Sequence, residues 1–158
     1  MSAFDRYLHA VLVRATHEAH EDGSATTDAH HLLLSLAADQ GSTAQRVLAA
    51  AGLDRAAVRA ALDREFEHSL SVVGVSAAAY DLPRPSRGDR QPKLGASARL
   101  ALERSFATAR KKDLRSSHLL LGVLEAQVGT VPRALALAGI DRAELADRVR
   151  QALDSPDQ

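Results

Sequence analysis

The chain has 158 residues, 20 Lys and Arg against 20 Asp and Glu, 46% apolar residues and no cysteine. That length holds one domain or two small halves sharing a core, and the balanced charge sets up no field favouring nucleic acid or an anionic membrane. The lack of cysteine excludes disulfides, thiolate chemistry and Cys-zinc sites.

Aromatics are scarce, and Ala, Leu, Arg and Glu are the vocabulary of packed helices. Asp5, Arg6, Arg14 and Glu18 exclude a signal-peptide core near the start, and no apolar run approaches the ~20 residues of a membrane span. A cytoplasmic location is expected. From Phe4 to His20, Phe4, Leu8, Leu12, Ala15 and Ala19 fall on one helical stripe. Gly23 and SATTD break it, and Thr27 or Asp28 is placed to cap a second helix through about Ala38, carrying Leu32, Leu33 and Leu36. The loop DQGST leads to a third helix with Ala44, Val47, Leu48 and Ala51 on one side. Gly52 then supplies the left-handed stop, Asp54 caps the fourth helix, and Leu53 and Val58 are spaced as a hydrophobic staple. That helix is expected to run to about Leu70 with Val58, Leu62 and Phe66 inward. Residues 71–93, SVVGVSAAAYDLPRPSRGDRQPK, read as a linker with Arg84, Arg87, Arg90 and Lys93 solvated.

After Lys93 the pattern restarts. Leu94, Ala98, Leu102, Ser105 and Ala109 mirror the first stripe at an offset of 90, whereas residues 31–58 overlie 118–145 at an offset of 87, with half the positions identical. The change of offset places a three-residue shortening between Ala109 and His118. Ser116 or Ser117 is expected to cap the sixth helix, and Pro132 suits the first turn of the seventh. Gly139 stops that helix, Asp141 and Glu144 have capping-box spacing, and Ile140 and Leu145 form the second staple. The reading is all-α: four-helix repeats at 1–70 and 94–154 in pseudo-twofold relation, a linker at 71–93 and a frayed tail at 155–158. Each half alone is too small to bury its apolar faces, so the two should share a core.

This doubled series of helix, polar loop, HLLL helix, helix, Gly-apolar-Asp corner and helix resembles the N-terminal (Clp repeat) domain of the Clp/Hsp100 AAA+ unfoldases, especially the ClpC type. GSATTDAHHLLLSL is similar to that family's glycine–polar–Thr-Glu-His-Leu-Leu pattern. The resemblance implies a module that binds peptide segments of substrates and adaptors, Clp ATPase or protease components, or cyclic peptide antibiotics, with no nucleic acid, membrane or cofactor involved. Without a G-x-x-x-x-G-K-[ST] loop the chain would be a stand-alone relative lacking the ATPase, and not an enzyme. The family's ligand seam crosses the first helices of the two halves. Here it would draw on Phe4, His9 and Val13 from one helix and Leu94, Arg99, Glu103 and Phe106 from the other. Where ClpC-type domains carry an acidic residue before the motif histidine, this chain has His30 and Ser117. Neither offers a carboxylate to a guanidinium, so weak or absent phosphoarginine binding is expected.

Other residues read more plainly. His31 and His118 begin both HLLL helices, and symmetric retention is what packing produces, so their rings are expected to bond backbone near the helix starts. His17 and His20, with His30 and His31, make the richest titratable cluster. Yet THEAHED is one residue short of H-E-x-x-H, so no metal site is expected there. Ser97 in GASA lacks the second glycine of a nucleophile elbow, and ARKKDLR at 109–115 has no interleaved aromatic to suit nucleic acid. Two further readings remain: a regulatory or sequestering partner that binds Clp components or oligomerises through its repeat faces, and a metal-binding protein using the histidine cluster.

Overall fold

The computed structural model describes residues 2–74 and 91–155. The helices are α1 (Ala3–Glu21), α2 (Ala29–Ala38), α3 (Thr43–Ala50), α4 (Arg55–Val72), α5 (Ala96–Ala107), α6 (Ser116–Leu124), α7 (Thr130–Leu137) and α8 (Arg142–Leu153). A single 3₁₀ turn, Lys111–Asp113, occupies the shortened connection before α6. The fold is all-α as expected, with one addition. β1 (Thr26–Thr27) and β2 (Lys93–Leu94) pair in parallel, Thr26 opposite Lys93 and Thr27 opposite Leu94. This bridge ties the end of α1 to the start of α5, and Lys111 Nζ reaches Asp5 at the other end of α1 at 3.0 Å. The two helices therefore run in opposite directions.

The two HLLL helices lie at the centre. Leu32, Leu33, Leu34 and Leu36 of α2 and Leu119, Leu120, Leu121 and Leu124 of α6 are all buried in one cluster, as befits helices apolar nearly all round. α1 covers α2, and α5 covers α6. The third and fourth helices cross over: α3 packs on α8 of the other half, and α7 packs on α4. Glu65, buried on α4, fastens the second crossing by accepting from Arg133 Nε at 3.0 Å and from Ser69 Oγ at 2.7 Å.

The Gly-apolar-Asp corners make this exchange possible. Gly52 and Gly139 have φ of 81° and 75°. Leu53 N–H donates to the Leu48 carbonyl at 2.8 Å and Ile140 N–H to that of Leu135 at 2.9 Å, the six-to-one bond of a Schellman stop. Asp54 and Asp141 then accept from Ala57 and Glu144 N–H, launching the fourth helix of each half toward the opposite half. The Glu144 carboxylate does not return to the cap; it pairs with Arg148 at 3.1 Å.

Other differences have local causes. Phe66 was expected inward but is 54% exposed, because the buried stripe of α4 runs through Val58, Ala61, Leu62 and Glu65. Leu94 lies in β2 and Ala109 beyond the end of α5, so the second stripe is shorter than the first. Ser71 and Val72 extend α4 into the expected linker, whose Arg84, Arg87 and Arg90 lie outside the described residues, while Lys93 is exposed. The sixth helix is preceded by Arg115, not capped by Ser116 or Ser117. Ser116 Oγ instead accepts the Ala44 N–H of α3 at 3.1 Å, and Ser97 Oγ accepts the Ala29 N–H of α2 at 2.9 Å. The second half thus supplies a hydroxyl to two helix starts of the first.

Candidate functional site

The histidines that open the HLLL helices are explained by backbone chemistry. His31 and His118 stand at the third helical position, where a capping-box glutamate would sit. His31 Nδ1 accepts the Asp28 N–H at 2.9 Å, and His118 Nδ1 accepts the Arg115 N–H at 3.0 Å. A neutral imidazole thus satisfies an otherwise orphaned helix-start donor in both halves. With its Nδ1 lone pair engaged, neutral His31 carries its proton on Nε2, which faces Asp22 Oδ2 at 2.8 Å.

Asp22 belongs to a charge network present only in the first half. Glu18, 5% exposed, accepts from Arg55 at 2.8 Å through both carboxylate oxygens and from Arg59 at 3.3 Å. Burial works against the charge on Glu18, but the two guanidiniums outweigh it and hold its pKa below the ordinary value. At Asp22 burial is likewise outweighed, by hydrogen bonds from His31 and Ser24. The counterparts of Glu18, Asp22 and Arg59 in the second half are Thr108, Lys112 and Ala146, which cannot rebuild the network.

One oxygen of Asp22 and one nitrogen each of His30 and His31 lie within 4.8 Å of one another. The donor chemistry does not suit a cation. His31 accepts with Nδ1 and donates with Nε2, so a metal at Nε2 would have to displace a proton already hydrogen-bonded to Asp22. His30, its ring centroid 4.0 Å from that of His31 and tilted 42° to it, has its pKa lowered from 6.5 to about 4, first by burial and then by its neighbour. Burial also lowers His118. A folded-state pKa below the unfolded one means stability present above pH 6.5 and lost as pH falls, between 6.5 and about 4 for His30. Thermal melts are expected to be flat above neutrality and to fall through that window, His30 contributing up to roughly 3 kcal/mol. His30→Gln should flatten the fall; an unchanged profile would remove His30 as its source.

A cleft of about 540 Å³ runs along α1. Among the described residues His9, Leu12, Val13, Thr16, His17 and His20 line it from the helix, and Gln91 and Pro92, just before β2, line it from across. Of the residues expected at a ligand seam, His9 and Val13 lie in this cleft, with Val13 55% exposed. Phe4 is half-buried against the core with its ring 6.3 Å from that of Tyr7. Leu94, Arg99, Glu103 and Phe106 are exposed at the start and along α5, outside the cleft lining. Sequence reasoning missed Gln91 and Pro92 because they were read as linker. Asp22 carried only one signal, its position at the end of the first helix. Ser97, weighed as a nucleophile, bonds Asp28 Oδ1 and the Ala29 N–H and serves the seam between halves.

Two four-helix units exchanging their third and fourth helices, with a histidine-capped helix at the heart of each, define a pseudo-twofold all-α domain. The chain belongs to the Clp repeat (R) N-terminal domain family, which matches residues 3–113. Among solved structures it is similar to the N-terminal domain of the caseinolytic protease-associated chaperone ClpD from Arabidopsis thaliana. That likeness has a TM-score of 0.64 and 16% identity over 93% of this chain and 92% of that one, so it speaks to fold. No curated protein matches the chain significantly. Among the described residues no helix is long and apolar enough to cross a membrane.

Proposed function

We propose that the chain is a protein- and peptide-recognition module of cytoplasmic Clp-linked proteolysis or quality control. It binds segments of substrates or adaptors, Clp components or peptide antibiotics. The observation that supports this most is Val13, an aliphatic side chain left 55% exposed inside a cleft on the first helix of a Clp-repeat fold. Phe106 and Leu100, 45% and 48% exposed on α5, add separate apolar surface near Arg99 and Glu103 in sequence, a mixture that suits an apolar guest with charged flanks. A peptide array followed by anisotropy titration tests the reading. Val13→Glu and Phe106→Glu are expected to weaken binding about tenfold or more while leaving the melting temperature unchanged, because both side chains sit outside the core. Failure of the chain to capture any peptide, adaptor or Clp component would overturn it.

A regulatory or sequestering reading draws on a different surface. Phe66, exposed where the stripe of α4 would bury it, could hold a second copy. Light scattering that finds a dimer dispersed by Phe66→Glu would favour this second reading.

A further inference from the structure

We propose that the start of α6 binds a carboxylate group of a partner protein, received by Lys112, Arg115, Ser117 and His118. The assignment comes from what the two halves place at the same spot. In the first half two carboxylates stand at the start of α2: Asp28 occupies its N-cap, and Asp22 Oδ2 lies 2.8 Å from His31 Nε2. Their counterparts at the start of α6 are the cations Arg115 and Lys112. The histidine is kept. His118 Nδ1 accepts the Arg115 N–H at 3.0 Å, so the neutral ring carries its proton on Nε2, and no described residue accepts from it. Burial and the Arg115 charge both hold the His118 pKa down and keep the ring neutral.

The neighbouring Ser117 hydroxyl is buried and has no hydrogen-bond partner among the described residues, an unfavourable state for a polar group. Ser117 is the second residue of the helix, so its Cβ leans toward the N-terminus. There the first N–H groups lack intrahelical acceptors and the helix dipole favours negative charge. The nearby acids are already matched, Asp113 with Arg110 at 3.4 Å and Asp5 with Lys111 at 3.0 Å. Lys112 and Arg115 are exposed, and neither has an ion-pair partner among the described residues. A guest carboxylate would therefore accept from His118 Nε2 as Asp22 does from His31, take the Ser117 proton, and balance the two cations. These residues lie outside the cleft lining on α1.

Amide NMR titrations of the full chain test the assignment. The probes are a short capped peptide with one glutamate, its glutamine twin, and a neutral peptide with a free C-terminal carboxylate. Saturable shifts at Ser116, Ser117 and the His118 ring are expected with a carboxylate peptide and not with the glutamine twin. The tighter of the two carboxylates identifies a side chain or a chain end as the guest. Arg115→Gln and Ser117→Ala should each weaken binding roughly tenfold, the loss of one charge-assisted hydrogen bond. Ser117→Ala should melt no lower than wild type, since no bond within the chain is lost. Val13→Glu should leave binding intact, so this site and the cleft fail separately. Three results would each overturn the proposal: no saturable shift with either carboxylate, equal shifts with the glutamine twin, or inorganic phosphate binding more tightly than both.

Discussion

Replacing Gly122 with alanine is expected to cost about 2–3 kcal/mol, a fall in melting temperature of roughly 5–10 °C. In an open helix the same change would gain about 1 kcal/mol from helix propensity. Here the new methyl would lie 2.2 Å from the Ala101 carbonyl oxygen and 2.3 Å from Ser105 Oγ. The hydroxyl can turn away; the carbonyl belongs to α5 and can retreat only if the whole helix moves. Adding Ser105→Ala is therefore expected to recover little, and wild-type stability in Gly122→Ala would contradict this packing of α5 on α6. The first half solves the same approach differently. Ser35, the counterpart of Gly122, donates its hydroxyl to the Val11 carbonyl at 2.9 Å. In the second half Ser105 makes the corresponding bond from within α5, to Ala101 at 2.8 Å.

Residues 1–74 and 91–158, produced as separate chains, should each be largely unfolded, and mixing them should restore helical circular dichroism and a cooperative melt. Domains this short are marginal even with a complete core, and neither piece has one. Alone, the first would expose the faces of α2, α3 and α4 that meet α6, α8 and α7. It would also leave the Ala29 and Ala44 N–H groups without their serine partners from the second half. A cooperative melt from either piece by itself would refute the shared core.

What could be read from sequence was what the chain decides locally. The Gly-apolar-Asp corners carry their stop, cap and staple within a few residues, so both were legible, as was the doubled helix order. Misreadings arose where the partner lies in the other half. Nothing near Phe66 says that Arg133, far along the chain, will take Glu65 inward and turn the stripe by one residue. Nothing near Ser116 says that its hydroxyl is spent on α3. The β1–β2 bridge was invisible because two-residue strands have no periodicity of their own and form only where the halves meet. At the cleft, His9 and Val13 were reached through the family resemblance, as part of the seam expected across the first helices of the two halves. The opposite wall, Gln91 and Pro92, had no comparable signal.

The one-way supply of hydroxyls across the seam, from Ser97 and Ser116 to α2 and α3, also bears on how such a molecule diversifies. In a symmetric dimer of identical chains, one altered codon changes two places at once. Joined in tandem, the two places drift separately while still answering to each other. Ser97 and Tyr7 occupy equivalent positions at the offset of 90: the first accepts from the start of α2, and the second, with its pKa raised by burial and by Asp39, donates to Asp39 Oδ2 at the end of the same helix at 2.8 Å. Equivalent positions thus carry unlike side chains with unlike partners, and the two copies of the repeat have already parted in what holds them together.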